Sequence, residues 1–434
     1  MHNATSSDEI ERRLTTLFPS GALEDHAESV GVVEREGKLQ IPPLVWSFAF
    51  GFATGESRTL AAFRRSYNST ADKSLSPGGY YHRLTPSLAE YLRDLVEYGL
   101  DEVAVPHTAS EAFDRFRDVM IADGTVLRLH QFLSDEYEGR NEEQAGARLH
   151  LLHNPSEQTL ERFSITDEKA HDSTEFNTGS WLEQRLVLFD QAYFKYRRFA
   201  LIDENDGYFV SRLKPDANPV VTDELREWCG DTIPLEGKQI HDVVDDLYRK
   251  YIDVEVEAEF KRGKYAGTRS QDTKRFRVVG VRDEDADDYH LYITNLSREE
   301  FLPADLATIY RCRWAVERLF CELKTQYELD EFDTTKEHIV KILVYAALLS
   351  LLVSRDLLAL VTDYTDDDIV FPPGRWAATI RSHAQLILHE LGEYLGYSPP
   401  PLLERLIEDA QKIHKQRPIL QETLATATQP RCES

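Results

Sequence analysis

The chain has 434 residues, 41% of them hydrophobic, and a formal net charge of −26. That length suggests two or three domains, and the apolar share excludes a disordered chain. The four cysteines (Cys229, Cys312, Cys321 and Cys432) form no CxxC pair and no zinc-ligand spacing, so a disulfide scaffold or zinc module is excluded and a reduced, cytosolic protein is expected.

The acidity taken alone argues against a nucleic-acid partner. Only 15 of the 50 basic residues are lysine, however, and an acidic, Lys-poor chain resembles proteins adapted to high salt. There the Debye length falls to ~3 Å at 1 M and a large same-sign charge costs little. The competing reading, an acidic surface for a basic partner, stays open on composition.

In chain order, residues 1–117 read as a helical region. The opening "MHNATSSDEIERRL" is polar and acidic, so no secretory signal is expected, and its Ser/Asp cluster precedes a 3.6-residue apolar spacing. "PPLVWSFAFGFA", "SRTLAAFRRSYN" and "SPGGYYHRLTPSLAEYLRDLVEYGL" continue as short helices separated by Pro and Gly, in the manner of a helix-turn-helix bundle. Arg58, Arg64, Arg65, Lys73, His82 and Arg83 supply local positive charge for DNA contact. Residues 118–214 change period. "VMIADGTVLRLHQFL", "ARLHLLHN" and "QTLERFSIT" alternate as three hairpin-linked strands, a helix is expected at about 169–182, and "RLVLFDQAYF" and "GYFVSRLK" follow as further strands. The fold class expected is α/β, a mixed sheet flanked by helices.

Residues 215–300 read as a β meander inserted into that core. They hold a basic cluster, Lys261, Arg262, Lys264, Arg269, Lys274, Arg275 and Arg277, expected to contact a polyanion. Residues 301–365 return to helix and contain the run Ile342–Val353, broken only by Ser350. The ~20 residues that span a bilayer are not reached, so a buried core helix and no membrane are expected. Residues 366–434 read as a helical C-terminal region with breaks at "FPPG" and "SPPP".

One stretch needs explaining. "IYRCRWAVERLFCELK", residues 309–324, carries six formal charges while leading into the most apolar part of the chain. On a helix at ~100° per residue, Tyr310, Arg313, Glu317 and Lys324 fall in one arc of roughly 60°. Ile309, Cys312, Val316, Leu319, Phe320, Leu323 and Tyr327 form an apolar face, Arg311, Arg318 and Glu322 an ordinary charged one, and Trp314 borders the stripe. An i,i+4 pair between Arg313 and Glu317 would account for part of this without function.

The spacing Tyr-x2-Arg-x3-Glu-x6-Lys resembles the signature of the insertion-sequence-four family of DDE transposases. Asp123 in "IADGTVLRLH", Asp190 after "LVLF", the ending Arg-Leu-Lys of "YFVSRLK" and the Thr-Asn-Leu of "YHLYITNL" extend the resemblance over roughly residues 110–360. It implies a ribonuclease-H-like catalytic core interrupted by a β-rich domain. It also implies a catalytic, metal-holding triad Asp123, Asp190 and Glu317, with Asp123 bridging two Mg²⁺ ions (Mn²⁺ able to substitute). Three carboxylates without a His or Cys cluster suit such hard ions. Tyr310, Arg313 and Lys324 would contact the transposon end, and Lys261, Arg262, Lys264, Lys274 and Arg275 would add DNA contacts from the insertion. The partners implied are double-stranded DNA, both transposon ends and target, and a second copy of the chain in the synaptic complex, acting in the cytoplasm at the nucleoid. Tyr289 and Tyr292 are the residues considered for trapping a flipped base. A catalytically silent DNA-binding relative, another nuclease of the same fold, or an acidic scaffold for a basic protein are the alternatives.

Overall fold

The computed structural model describes residues 8–33, 39–51, 59–102, 115–139, 145–154, 159–169, 176–225, 235–244, 247–265, 268–283, 288–327, 329, 331–332, 334–365 and 369–410. Arg58, Cys229 and Cys432, and the side chains of Lys264 and Arg269, lie outside the described residues.

Ten strands form one mixed sheet: β1 (Asp118–Leu129), β2 (Ala145–Asn154), β3 (Thr159–Asp167), β4 (Arg185–Phe189), β5 (Tyr208–Arg212), β6 (Val220–Glu224), β7 (Tyr251–Tyr265), β8 (Thr268–Asp283), β9 (Asp288–Thr294) and β10 (Glu331–Phe332). Their order is β3-β2-β1-β4-β5-β9-β8-β7-β6, with β10 pairing β1. The first five make the ribonuclease-H-like half: β1–β3 are an antiparallel meander, and β4 and β5 add in parallel. The strands of the β segment at 215–300, expected as an insertion, continue the same sheet. β5 would otherwise end the core with an open row of backbone groups, and β9 closes it antiparallel at Val210↔Thr294. The Thr-Asn-Leu segment fastens this seam. Thr294 Oγ1 donates to Phe209 O at 2.6 Å, and Asn295 Oδ1 accepts from Phe209 N at 3.0 Å.

Alternation along the strands feeds two cores, one per face. Met120, Ala122, Val187, Phe189 and Phe209 face a smaller core with α7 (Tyr196–Glu204) and α8 (Ile240–Val244). Ile121, Leu188 and Val210 face the larger core. That core is filled by α1 (Glu9–Leu17), α2 (Ser20–Ser29), α3 (Ile41–Phe50), α4 (Leu60–Asn68), α5 (Pro77–Tyr81) and α6 (Pro86–Glu102). Beside them pack α9 (Pro303–Arg311), α10 (Trp314–Gln326), α11 (Glu337–Asp363) and α12 (Pro373–Tyr394), and α13 (Leu402–Ala410) follows. The expected helix at 169–182 is absent from the described part of that segment, which holds only a 3₁₀ turn at Ser180–Leu182.

Of the described helices in region 1–117, α1, α3 and α6 pack on α11, the 27-residue helix whose most apolar window is wholly buried, as expected of a core helix. All ten residues of α3 are buried, Ser350 Oγ donates to Phe48 O at 3.3 Å, and Arg13 Nη2 pairs with Asp356 at 2.6 Å. Arg64, read as a DNA-facing cation, is 5% exposed and serves this packing: it donates to Leu75 O and pairs with Asp409 of α13. Arg83 donates to Gly79 O at 2.6 Å, while Lys73 and His82 stay on the surface.

Candidate active site

The pairing of β1 with β4 fixes the first two carboxylates. The last parallel rung is Ala122↔Phe189, so Asp123 and Asp190 are the next residues on neighbouring strands. Each lies two residues beyond one that points into the larger core, Ile121 and Leu188, and side chains two apart share a face. Both acids therefore point toward the helices rather than toward α7. Asp190 ends β4 and opens a 3₁₀ turn at Gln191–Tyr193. Asp123 lies inside the 12-residue β1, which runs past the end of β4 because β2 and β10 pair with its far half.

The helix that carries the stripe is two helices. α9 ends at Arg311 and α10 begins at Trp314, with backbone bonds of i→i−3 type at Cys312, Arg313, Ala315 and Val316. Cys312 and Arg313 keep right-handed helical dihedrals, so the turn tightens without changing direction and the stripe survives it. α10 packs across β1 and brings Arg313 and Glu317 over the two strand acids. Arg313 is 9% exposed. Its Nη2 donates to Glu317 Oε1 at 2.7 Å and its Nη1 to Asp123 Oδ2 at 3.2 Å, so one guanidinium bridges two of the three carboxylates. The same group lies 5.7 Å from the Tyr310 ring centroid. Lys324, further along α10, reaches Val126 O of β1 at 3.5 Å.

Asp123 is pushed up to about 6. Burial is the main cause, and Asp190 and Glu317 add to it against the opposing Gly124 N–H and Arg313. Ionising Asp123 in the folded chain therefore works against stability as pH rises from its ordinary 3.8 through about 6. Tyr310 is pushed up to about 12, again chiefly by burial and further by Asp190. Burial alone would lower Arg313; Tyr310, Glu317, Asp123 and Asp190 outweigh it and hold the guanidinium charged. The site is thus three acids drawn around one buried cation. Among the described residues no three His, Cys, Asp or Glu side chains are grouped closely enough to hold an ion, and it is Arg313 that stands between Asp123 and Glu317. The donor set nevertheless fits a hard divalent ion. All donors are carboxylate oxygens, the ligand type that such ions prefer.

Sequence reasoning missed Arg212. It closes β5, two residues beyond Val210 and so on the same face as the acids, and it lowers the pKa of both Tyr310 and Tyr292. Its Nη2 donates to His290 Nδ1 at 2.7 Å. The signal was present, since Arg212 is the Arg of Arg-Leu-Lys, quoted only as a strand ending. The two tyrosines considered for a flipped base are separated by the pleat. Tyr292 lies 5.0 Å from the Tyr310 ring, whereas Tyr289 is buried in the smaller core and donates to Arg249 O. Trp314 is 59% exposed, not a core residue.

Among the described side chains, four bases of the β7–β8 cluster are held by acids. Arg262 pairs with Glu204 and Asp272, Lys274 with Asp203 at 2.5 Å, and Arg275 with Glu255 at 3.1 Å. Arg277 is 6% exposed and paired with Asp253. Asp253 and Glu255 of β7 share a face with Arg277 and Arg275 of β8 and meet them diagonally, two residues from their register partners, while Lys274 reaches Asp203 of α7. Lys261 is exposed.

The family described as "Transposase DDE domain" matches residues 114–353. The transposase for insertion sequence element IS231B of Bacillus thuringiensis subsp. berliner is 21% identical over 387 residues, covering 80% of this chain and 78% of that one. The IS231F transposase of Bacillus thuringiensis subsp. israelensis is 20% identical over 376 residues, covering 79% and 78%. Transposase InsL of IS186A from Escherichia coli (strain K12) is 28% identical over 104 residues, 24% of this chain and 26% of that one.

Proposed function

Because the chain belongs to the family of transposase DDE domains, we propose that Asp123, Asp190 and Glu317 are the carboxylates at which it cuts and joins DNA. The chain is a DNA transposase of an insertion sequence, an enzyme of DNA strand cleavage and transfer. The observation that carries the assignment is the Ala122↔Phe189 rung, which sets the two strand acids side by side beneath the Arg313–Glu317 turn of α10.

The family uses divalent metal ions. Asp123, Asp190 and Glu317 would hold two Mg²⁺, with Mn²⁺ able to substitute, and such ions would activate the entering oxygen and stabilise the leaving one in an in-line displacement at phosphorus. The chain's own residues do the rest. Arg313 can exchange its carboxylates for a phosphate and grip it as a fork, and Lys324 holds a second phosphate as a point charge. The raised pKa of Tyr310 keeps its hydroxyl protonated, so it can donate to a phosphate oxygen. Arg212 adds a cation at the same rim, and Tyr292, beside Tyr310, is the better placed of the two tyrosines to receive a displaced base.

At the finer level the chain is a member of the insertion-sequence-four group with the Tyr-Arg-Glu-Lys signature, and its acidity is that of a halophile-type protein. Its partners are the transposon ends, a target duplex and a second copy that pairs the two ends, and it acts at the cytoplasmic nucleoid. The segments 1–117, 118–214, 215–300, 301–365 and 366–434 serve as helical support, first half of the core, β extension, second half of the core and C-terminal support.

The test is a linear DNA bearing the element's own terminal repeats, mixed with the protein, Mg²⁺ and molar KCl. Cleavage at the ends and joining to a second DNA are expected, and chelating the metal stops both. A protein that binds the ends but cuts in neither Mg²⁺ nor Mn²⁺ is a silent DNA-binding relative.

A further inference from the structure

Turning α9 and α10 about their axis at ~100° per residue brings up a second row beside the first. Arg311, Trp314 and Arg318 fall at roughly +40° to +100° from Tyr310, next to the inner stripe. The sequence assigns the two arginines, with Glu322, to an ordinary charged face. The structure divides that face. Glu322 turns inward, 7% exposed, to pair with Arg355 of α11 at 2.7 Å. Arg311, Trp314 and Arg318 turn outward.

Neither arginine has an ion-pair partner among the described residues. Arg262, Lys274 and Arg275, by contrast, are each held by a neighbouring acid. Burial raises Tyr292 and Cys312, and Arg311 and Arg318 respectively oppose that rise in part. The result is an exposed Arg-Trp-Arg ridge at the rim of the carboxylate site. It runs from the end of α9 onto α10, the helix that holds Glu317, and the inner row of α10 faces β1.

We propose that this ridge docks the target duplex, the DNA that receives the freed 3′ ends; the proposal rests on the transposase reading. Joining forms a bond between the 3′ oxygen of the end and a target phosphorus. It breaks that phosphorus's bond to its own 3′ oxygen, which leaves with the proton. Both DNAs must therefore reach the same carboxylates. The inner row and the strand acids occupy the side taken by the transposon end, so the second duplex approaches over the solvent face of α10. Arg311 and Arg318 stand ~10 Å apart along the helix, the axial span of about three phosphates of one strand. Arg forks suit phosphates, and the exposed Trp314 ring between them offers an apolar surface to the sugars without reading sequence.

The experiment uses the full chain, Mg²⁺, molar KCl, end DNA carrying the terminal repeats, and a plasmid target. For Arg318→Glu, end cleavage is expected within about twofold of wild type and joining to the plasmid at least about tenfold lower. Arg318→Lys is expected to recover most of the joining. Removing one phosphate contact flattens the salt dependence of joining by about 0.9 in log–log slope. A variant that loses end binding and cleavage along with joining overturns the proposal, because the ridge then holds the end. A variant that joins as well as wild type also overturns it, as bare surface. If the wild type itself joins nothing, the transposase reading falls and the target assignment with it, a result distinct from the other two.

Discussion

Replacing Glu317 with Gln is expected to abolish end cleavage and strand joining while leaving end binding within a few-fold. The substitution keeps the size of the side chain and removes the charge that a metal ion needs. Losing an outer partner of a metal ligand costs 10–100-fold, so loss of the ligand itself is expected to exceed about 100-fold. The fold is not at risk. Glu317 is 42% exposed on its side chain and its structural bond is an i,i+4 pair with Arg313, an arrangement worth about 0.3–0.5 kcal/mol. Single-turnover cleavage and gel-shift titration on the same DNA separate chemistry from binding. Retained cleavage in Mg²⁺ by a folded Glu317→Gln chain would remove Glu317 from the reaction and leave the stripe as helix surface.

The second large effect is on stability and lies in the β extension. Arg277→Ala is expected to destabilise the chain by about 3–5 kcal/mol, the range for breaking a buried pair from one side. Arg277 Nε and Nη2 pair with the two oxygens of Asp253 at 2.7 and 2.8 Å. Its Nη1 donates to Leu296 O, Ser297 O and Phe301 O. Ala leaves a carboxylate that is 2% exposed and three carbonyls to find other partners. Because the pair is buried, the loss should differ little between low and molar KCl, whereas pairs such as Arg275–Glu255 should be screened. Urea unfolding at two salt concentrations measures this. A loss below about 1 kcal/mol, or weaker DNA binding at unchanged stability, would return Arg277 to the polyanion-binding role that the basic cluster suggests.

The two cases mark what the sequence makes legible. Strand alternation, the acid after "LVLF" and the charge stripe of residues 309–324 are local patterns. They locate Asp190, Arg313 and Glu317 because a strand end and a helix face are fixed by neighbours in the chain. The partners of Arg277, Lys274 and Arg262 are not local. Whether a basic residue is free or neutralised depends on which acid a strand pairing or α7 sets opposite it, and that is decided by register. The same reason hides the joining of the β extension to the core sheet through β9, and the inward turn of Glu322 toward Arg355, 33 residues away. Arg212 was missed for a different reason. The Arg of Arg-Leu-Lys reads as a strand ending, and its further meaning comes only from lying near Tyr310 on the same face of the sheet.

The central claim is that Asp123, Asp190 and Glu317 form one metal-holding site, with Arg313 beside Asp123 and Glu317. Electron paramagnetic resonance of Mn²⁺ titrated into the chain with its end DNA tests this most directly. The account expects two tightly bound ions per chain, lost from the Asp123→Asn variant although the variant still binds the DNA. No tight binding by the wild type, or the same binding by Asp123→Asn, would contradict it.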